Sequence, residues 1–258
     1  MTLQPFIPSR RFLQVWLRNF RVWQKTATAS LASTLGEPLL YLVGMGYGLG
    51  HYIGSMGDAP YMVFLAAGIL AANAMNTATF EVFYGTFTRM VRQNTFQAML
   101  AAPMRVADLV AGEIVWAASK SLFSGLAIFL VASLLGALPG ESAFWALPMV
   151  FLTGLVFASL GLIMTALSPN YEFFLYYFTL VTTPMALFGG VFYPLDTLPL
   201  PLQTLVQELP LTHALAMIRA LTMDTPLLHP IYHLSMLIFF VLTGYAIALH
   251  LLRKRLLV

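Results

Sequence analysis

The sequence predicts an all-α integral membrane protein, and three observations lead to this fold class. Charged residues make up only 9% of the 258 positions, whereas a soluble domain is about one quarter charged. Hydrophobic residues make up 59%, and the mean hydropathy is +0.81. Long uncharged runs recur without the ten-residue alternation of a transmembrane barrel. Because a helix needs about twenty apolar residues to cross a bilayer, each run is a candidate span.

The uncharged runs predict six transmembrane helices in a single domain, residues 1–258. The runs cover residues 38–57, 59–80, 121–140, 142–171, 173–195 and 225–252. The chain has no cysteine, which excludes a disulfide scaffold and a thiolate metal site.

The lysines and arginines predict which side of the membrane each connection faces. Five of the thirteen cations precede the first span, three lie between spans two and three, and three close the chain. Cytoplasmic segments carry the excess of Lys and Arg, so both termini are predicted to be cytoplasmic. The connection at residues 194–224 has three acids against Arg219 and is predicted to face outward.

Residues 9–26 predict an amphipathic helix that lies on the membrane surface. Five cations fall on one side of a helical projection, and apolar residues, among them Trp16 and Trp23, gather on the other. In such a helix the cations face phospholipid head groups or an acidic partner, and the tryptophans lie at the lipid boundary. The alternative is an ordinary packing helix.

Residues 92–104 are too polar to span but periodic enough for a helix. Phe96, Met99 and Leu100 repeat at i, i+3 and i+4, and Pro103 ends the run. We expect a short cytoplasmic helix that enters a groove on another protein and transmits motion to both neighbouring spans. The alternative is a simple connecting elbow.

The predicted outward connection, residues 194–224, carries two apolar helical stripes separated by Pro210. Each is too short to cross the bilayer alone. We therefore expect a re-entrant helical hairpin that dips into the outer leaflet, where irregular backbone is tolerated if protein surrounds it. His213 in this segment is either part of a gate or a structural histidine.

Two stretches carry a resemblance to a known family. Residues 188–221 read FGGVFYPLDTLPLPLQTLVQELPLTHALAMIRAL, and residues 92–113 read RQNTFQAMLAAPMRVADLVAGE. Over essentially its whole length the chain resembles the type-2 ABC exporter permeases, in the nodulation-factor (NodJ-like) branch that exports lipooligosaccharides, polysaccharides and drugs. The resemblance implies a homodimer of permeases in the bacterial inner membrane, bound to two ATP-binding subunits.

The resemblance also implies two sets of functional residues. The helix that couples to the ATPase would comprise Arg92, Gln93, Asn94, Thr95, Phe96, Gln97, Met99, Leu100 and Pro103. Spans two and five line the pathway in this family, which indicates Asn73, Asn76, Thr77, Phe80, Tyr84, Phe173, Tyr177 and Thr183. Amides and aromatic faces suit an amphiphile with sugar and acyl parts. The alternative for the aromatic residues is contact with lipid.

Charged residues inside spans are costly, so each needs a protein or water environment. We expect Lys120 to pair with Glu37 or Glu81, either as a structural ion pair or as part of an inner gate. His229 and His233 have the i, i+4 spacing of metal ligands, but no third ligand is near them in sequence. We predict no metal site.

The chain carries no chemistry of its own by sequence. No lysine follows a glycine, so a Walker phosphate loop is absent. We predict a transport permease rather than an enzyme, with ATP and Mg bound by the partner subunit. Its expected partners are that ATPase, a second copy of the permease and membrane lipids, and not nucleic acid. Alternatives are efflux of a drug or toxin, or an ATP-independent transporter or scaffold.

Overall fold

A computed structural model describes residues 6–56 and 59–257, and helices dominate this part of the chain. The first half contains α1 (Phe12–Gln24), α2 (Ala27–Ile53), the short strands β1 (Ser55–Met56) and β2 (Ala59–Pro60), α3 (Tyr61–Phe80), α4 (Thr95–Leu100) and α5 (Val106–Leu134). The second half contains α6 (Ala146–Leu167), α7 (Glu172–Tyr177), α8 (Thr183–Phe188), α9 (Leu200–Gln207), α10 (Pro210–Met223) and α11 (Pro230–Leu256). The two strands pair antiparallel, with Ser55 opposite Pro60.

Several helices join without a break through π-helical turns, which have one more residue per hydrogen-bonded turn than an α-helix. After α3 the helix continues through π turns at Glu81–Thr86 and Thr88–Arg92. A further π turn at Phe178–Thr182 joins α7 to α8. Short 3₁₀ turns at Glu141–Trp145 and Leu195–Thr197 precede α6 and α9.

Within the described residues, four helices are long and apolar enough to cross a membrane. They are Tyr61–Arg92, Val106–Leu134, Glu141–Leu167 and Pro230–Leu256. Neither α2 nor the shorter apolar helix Glu172–Phe188 belongs to this group. The predicted first and fifth spans correspond to these two helices, so a count of six spans stays a prediction.

Two helices extend beyond the uncharged runs that marked their spans. The run at residues 59–80 lies in a helix that continues to Arg92, and the run at residues 121–140 begins inside α5, which starts at Val106. The extensions carry charged residues, which the uncharged runs exclude by definition. Arg89, placed in a cytoplasmic connection by sequence, lies on the extended second helix with a side chain only 13% exposed.

The helices pack closely around α3, α5 and α6. In α6, a Cβ added at Gly154 would lie 2.8 Å from the Cα of Ala118 in α5, so only glycine permits this approach. On α2, Gly46 contacts Met62, whereas a Cβ at Gly44 or Gly48 would meet no described atom within 4 Å. One face of α2 therefore packs on α3, and the opposite glycine face is open.

The N-terminal helix α1 packs its aromatic face on α5. Trp16 donates a hydrogen bond from Nε1 to Ser119 Oγ at 2.9 Å, and Trp23 stacks on Phe123 with ring centroids 5.1 Å apart. Both tryptophans are half-buried against protein, and their position at the lipid boundary stays a prediction. Four of the five cations on the other face are exposed. Attachment of this face to head groups stays a prediction.

The segment 194–224 contains the helices α9 and α10 on either side of Pro210, which is the first residue of α10. Leu211, Leu215 and Ile218 are buried, and α10 packs against α3, α6 and α11. Asp224 follows α10 and accepts a hydrogen bond from the backbone N–H of Glu141 at 2.7 Å. This contact ties α10 to the start of the third long helix. The depth of the segment 194–224 in a bilayer, and with it the re-entrant hairpin, stays a prediction.

Candidate functional site

A cavity of about 670 Å³ lies between α2, the extended α3 helix and the α7–α8 helix. Six of the eight predicted pathway residues line it: Asn73, Asn76, Thr77, Phe80, Tyr84 and Thr183. Glu37, Glu81 and Lys120, expected to form an ion pair or gate, also line it. The cavity therefore brings together residues from four separate helices.

Two predicted pathway residues, Phe173 and Tyr177, do not line this cavity. Phe178 and Thr182 line it instead, and residues at i−5 and i−1 from Phe178 point to a different side of the helix. Tyr177 packs edge-on against Phe83, 5.2 Å between ring centroids. The sequence showed an aromatic run but not which of its members faced inward.

The amides on the cavity wall have different partners. Asn73 is buried, and its side chain is within hydrogen-bond distance of Ser124 Oγ at 3.0 Å and Thr77 Oγ1 at 3.4 Å. Asn76 is half-buried, and its amide has no hydrogen-bond partner in the described part of the chain. Asn73 therefore holds α3 against α5, whereas the amide of Asn76 is free to bind a molecule in the cavity.

Aromatic rings form much of the remaining wall. Phe80 and Tyr84 are 51% and 39% exposed and stack with centroids 5.3 Å apart. The ring of Phe178 also contacts Phe80, with centroids 4.5 Å apart. Tyr41 and Phe192 form a second ring pair, 6.0 Å apart. Exposed ring faces of this kind bind acyl chains, sugar faces or cations.

A network of buried charges reaches the wall of the cavity through Glu81 and Lys120. Glu81 lies between two cations, with Arg89 Nη2 2.8 Å from its Oε1 and Lys120 Nζ 2.8 Å from its Oε2. Trp116 Nε1 also donates to Glu81 at 2.8 Å. A Cβ at Gly85 would collide with the Glu81 carboxylate. Lys120 therefore pairs with Glu81 and not with Glu37, and glycine one turn later makes room for the pair.

Glu113 extends this network to α1. Its carboxylate binds Arg89, accepts a hydrogen bond from Asn19 Nδ2 at 3.0 Å and accepts another from Thr86 Oγ1 at 2.8 Å. Glu113 is fully buried. We name the set Glu81, Glu113, Arg89 and Lys120 the inner charge cluster. Sequence analysis missed Arg89 and Glu113, although their opposite charges near predicted span ends were a usable signal.

Glu37 differs from these acids although it lines the same cavity. It lies on α2 and is exposed. No cation lies within ion-pair distance of its carboxylate in the part of the chain that the structure describes. Since Lys120 is bound to Glu81, the charged groups lining the cavity sum to one uncompensated negative charge.

The predicted gate residue His213 lies outside this cavity. It is buried, and its Nδ1 is 2.9 Å from Nδ1 of His233 on α11. Burial, together with the neighbouring His233, lowers the pKa of His213. No group of three or more metal-binding side chains occurs among residues 6–56 and 59–257. His213 thus joins α10 to α11 through a pair of imidazoles.

The short helix α4 places its apolar stripe against its own chain. Phe96 is 1% exposed, and Met99 and Leu100 are half-buried. Phe96 therefore packs within this chain, and the assignment of the stripe to a coupling helix stays a prediction. The exposed predicted coupling residues are Arg92, Gln93, Asn94, Gln97 and Pro103, and Ala98 and Ala101 lie beside them. The helix α4 begins at Thr95. The preceding residue, Asn94, has a φ of 51°, and this left-handed conformation separates α4 from the helix before it.

The long apolar helices, with a mixed polar and aromatic cavity between them, define a multi-pass membrane transport permease. The family model described as ABC-2 type transporter matches residues 10–223. The chain belongs to this family, whose members work with an ATP-binding-cassette partner.

The comparisons also find curated relatives over almost the full length. Nodulation protein J of Rhizobium leguminosarum bv. trifolii is 43% identical over 249 residues, which cover 96% of this chain and 95% of the relative. Nodulation protein J of Rhizobium meliloti (strain 1021) is 42% identical over 245 residues, 95% and 94% of the two chains. The inner membrane transport permease YadH of Escherichia coli (strain K12) is 26% identical over 188 residues, 72% of each.

Proposed function

We propose that two copies of this chain form the membrane channel of an exporter that moves an amphiphile outward across the bacterial inner membrane. The cargo is a lipid-linked saccharide or lipooligosaccharide. Each copy crosses the membrane six times with both ends in the cytoplasm and binds one separate ATPase subunit, which holds ATP and Mg. The relatives named Nodulation protein J and inner membrane transport permease support this assignment.

The observation that carries the proposal is the position of α4. This helix lies between the extended second helix and α5, and its apolar stripe packs into the same chain. Those two helices also carry the inner charge cluster, which joins them through Arg89 and Glu113. A push on α4 is therefore transmitted to both helices as a unit. One of them, through Asn76 and Phe80, forms a wall of the cavity.

The docking surface for the ATPase is the exposed side of α4, not its apolar stripe. Gln93, Gln97, Ala98 and Ala101 are exposed and carry no charge. Small and amide side chains allow close backbone approach and hydrogen bonding by a partner. Phe96→Asp would bury a charge in this chain and test folding rather than docking.

The six-span topology is supported by the cavity as well as by the charges. Residues of α2 and of the Glu172–Phe188 helix line the cavity together with the extended second helix. If the cavity lies within the membrane, all three helices cross or enter it. Together with the three remaining long helices, this gives six.

Export of a drug or toxin is the second candidate, and the aromatic residues that line the cavity favour it. An ATP-independent transporter is less well supported. Such carriers use buried ionisable groups that can exchange protons or ions, whereas Glu81 and Glu113 are each bound to cations.

Purification from membranes of the native host in a mild detergent tests the proposal. We expect a Walker-containing subunit to co-purify in equal amounts. Gln97→Arg is expected to remove most of this partner, since a bulky charge would stand at the centre of the docking surface, and to abolish ATP-dependent transport.

Gln207→Arg is the matched control, because Gln207 is an exposed glutamine on α9. Normal partner recovery with Gln97→Arg, or a chain that transports without any ATPase, would contradict the proposal. Because the chain has no cysteine, Gln97→Cys also reports topology. Its thiol should react with impermeant reagents only from the cytoplasm.

A further inference from the structure

The charge of the cavity indicates what it binds. Three charged side chains line it, and two of them, Glu81 and Lys120, neutralise each other at 2.8 Å. Glu37 is the third, and it has no cationic partner among the described residues. Within the described part of the chain, the cavity therefore offers a free carboxylate and no free cation.

The aromatic rings in the cavity favour the same kind of ligand as Glu37. Ring faces attract cations through their quadrupole, and Phe80, Tyr84 and Phe178 lie close together with partly exposed surfaces. Tyr41 lies one turn after Glu37 on α2 and also lines the cavity. A carboxylate and aromatic faces that line the same cavity are the chemistry that binds an ammonium group within an apolar site.

We infer that the cavity takes an amphiphile with a protonated amine in its polar part, and that Glu37 binds this amine. The apolar part of the ligand lies against the aromatic wall, and Asn76 supplies a hydrogen bond to neighbouring polar groups. A phosphate or pyrophosphate in this place would face Glu37 without a free cation to balance it, which is unfavourable at low dielectric.

This inference rests on the proposed function, because it treats the cavity as the place where cargo binds. An amine of this kind has two sources: an amino sugar in a lipid-linked saccharide, or a small amphiphilic amine of the drug type. Both share the chemistry that Glu37 and the rings recognise.

A binding measurement without the ATPase tests the inference. The purified chain in lipid nanodiscs is dialysed against tetraphenylphosphonium or tetraphenylborate, two ions of nearly equal size and opposite charge, and binding to empty nanodiscs is subtracted. We expect the cation to bind about tenfold more tightly than the anion, and Glu37→Gln to remove most of this preference.

Glu172→Gln is the matched control, since Glu172 is an exposed acid at the start of α7 that does not line the cavity. Glu37→Asp should keep the preference for the cation. Equal binding of the two ions, or a preference that Glu37→Gln leaves unchanged, would overturn the inference. The second result is expected if Glu37 is covered by another copy of the chain.

Competition against tetraphenylphosphonium separates the two sources of the amine. If octyl 2-amino-2-deoxyglucoside competes better than octylamine, the amine of the ligand belongs to an amino sugar. If the two compete equally, the ligand is a small amphiphilic amine. Octyl glucoside competing as well as its amino analogue would overturn the role of the amine. Recovery of the ATPase partner is measured separately, so the two failures can be told apart. If the amine does not bind, the exporter proposal still stands; if no ATPase is recovered, the exporter proposal fails whatever the cavity binds.

Discussion

The two ends of the helix bundle are held together in different ways. At the inner charge cluster every charged group has an opposite partner, and Glu81 and Glu113 together accept from Arg89, Lys120 and three uncharged donors. Around α10, by contrast, buried polar groups are only partly satisfied. Arg219 Nη2 donates to the carbonyl of Gly190, but its Nε has no hydrogen-bond partner among residues 6–56 and 59–257.

The histidine pair shows the same incompleteness. His213 Nδ1 lies 2.9 Å from His233 Nδ1, and its buried Nε2 has no hydrogen-bond partner in the part of the chain that the structure describes. Unsatisfied buried polar groups cost free energy. The contrast teaches that α3 and α5 are joined as a unit at the inner charge cluster, whereas the contacts of α10 are weaker and more easily exchanged.

The largest expected effect comes from breaking the inner charge cluster. Glu113→Leu leaves Arg89 buried with one carboxylate partner and removes acceptors from Asn19 and Thr86. We expect a loss of about 3–5 kcal/mol in the free energy of unfolding. Unfolding in detergent, followed by tryptophan fluorescence, measures this loss.

The double variant Glu113→Leu with Arg89→Met separates charge burial from packing. Because replacing both partners removes the uncompensated charge, it should be more stable than Glu113→Leu alone. Losses that simply add would show that the two residues do not act as a pair.

A smaller effect is expected at α10. Arg219 lies over the ring of Phe64, 3.7 Å from its centroid, and a cation–π contact contributes about 0.5–2 kcal/mol. Arg219→Met keeps the contact with the ring and removes the unsatisfied Nε. We expect its free energy of unfolding to lie within about 1 kcal/mol of the parent.

Arg219→Lys serves as the comparison for this site, since it keeps the charge and loses the planar stack. If Arg219→Met were as destabilising as Glu113→Leu, the difference between the two ends of the bundle would be refuted.

The smallest effect is expected from pH at the histidine pair. Because burial lowers the pKa of His213, the unfolded chain binds more protons than the folded chain below the ordinary histidine pKa of about 6.5. Stability should therefore rise with pH through this range and fall on acidification. Thermal unfolding at a series of pH values measures the slope.

His213→Phe should reduce that slope, whereas His250→Phe, which alters an exposed histidine on α11, should leave it unchanged. If stability still rises equally with pH in His213→Phe, the pH dependence comes from other groups.

Much of this architecture follows from the sequence, but the directions in which individual side chains point do not. Composition and uncharged runs predicted a helical membrane protein, and the family resemblance is confirmed by the match over residues 10–223. Arg89 was misplaced because a charge near a span end is read as a loop unless its partner is known. Glu113, the partner, is 24 residues away and on another helix.

Periodicity had a similar limit at α4 and α7. The spacing of Phe96, Met99 and Leu100 correctly defined an apolar stripe. It did not define whether this chain or a partner covers that stripe, because helix periodicity is the same in both cases. The aromatic run from Phe173 likewise gave no register for the cavity, since a π turn shifts the facing of the residues around it.

The π turns at Glu81–Thr86 and Thr88–Arg92 have a geometric consequence. Each contains a surplus residue compared with an α-helix. One surplus residue turns the side chains beyond it by about 100° and shifts them by about 1.5 Å along the axis. The residues that follow the two turns, toward α4, therefore face directions that the period of an unbroken α-helix would not give them.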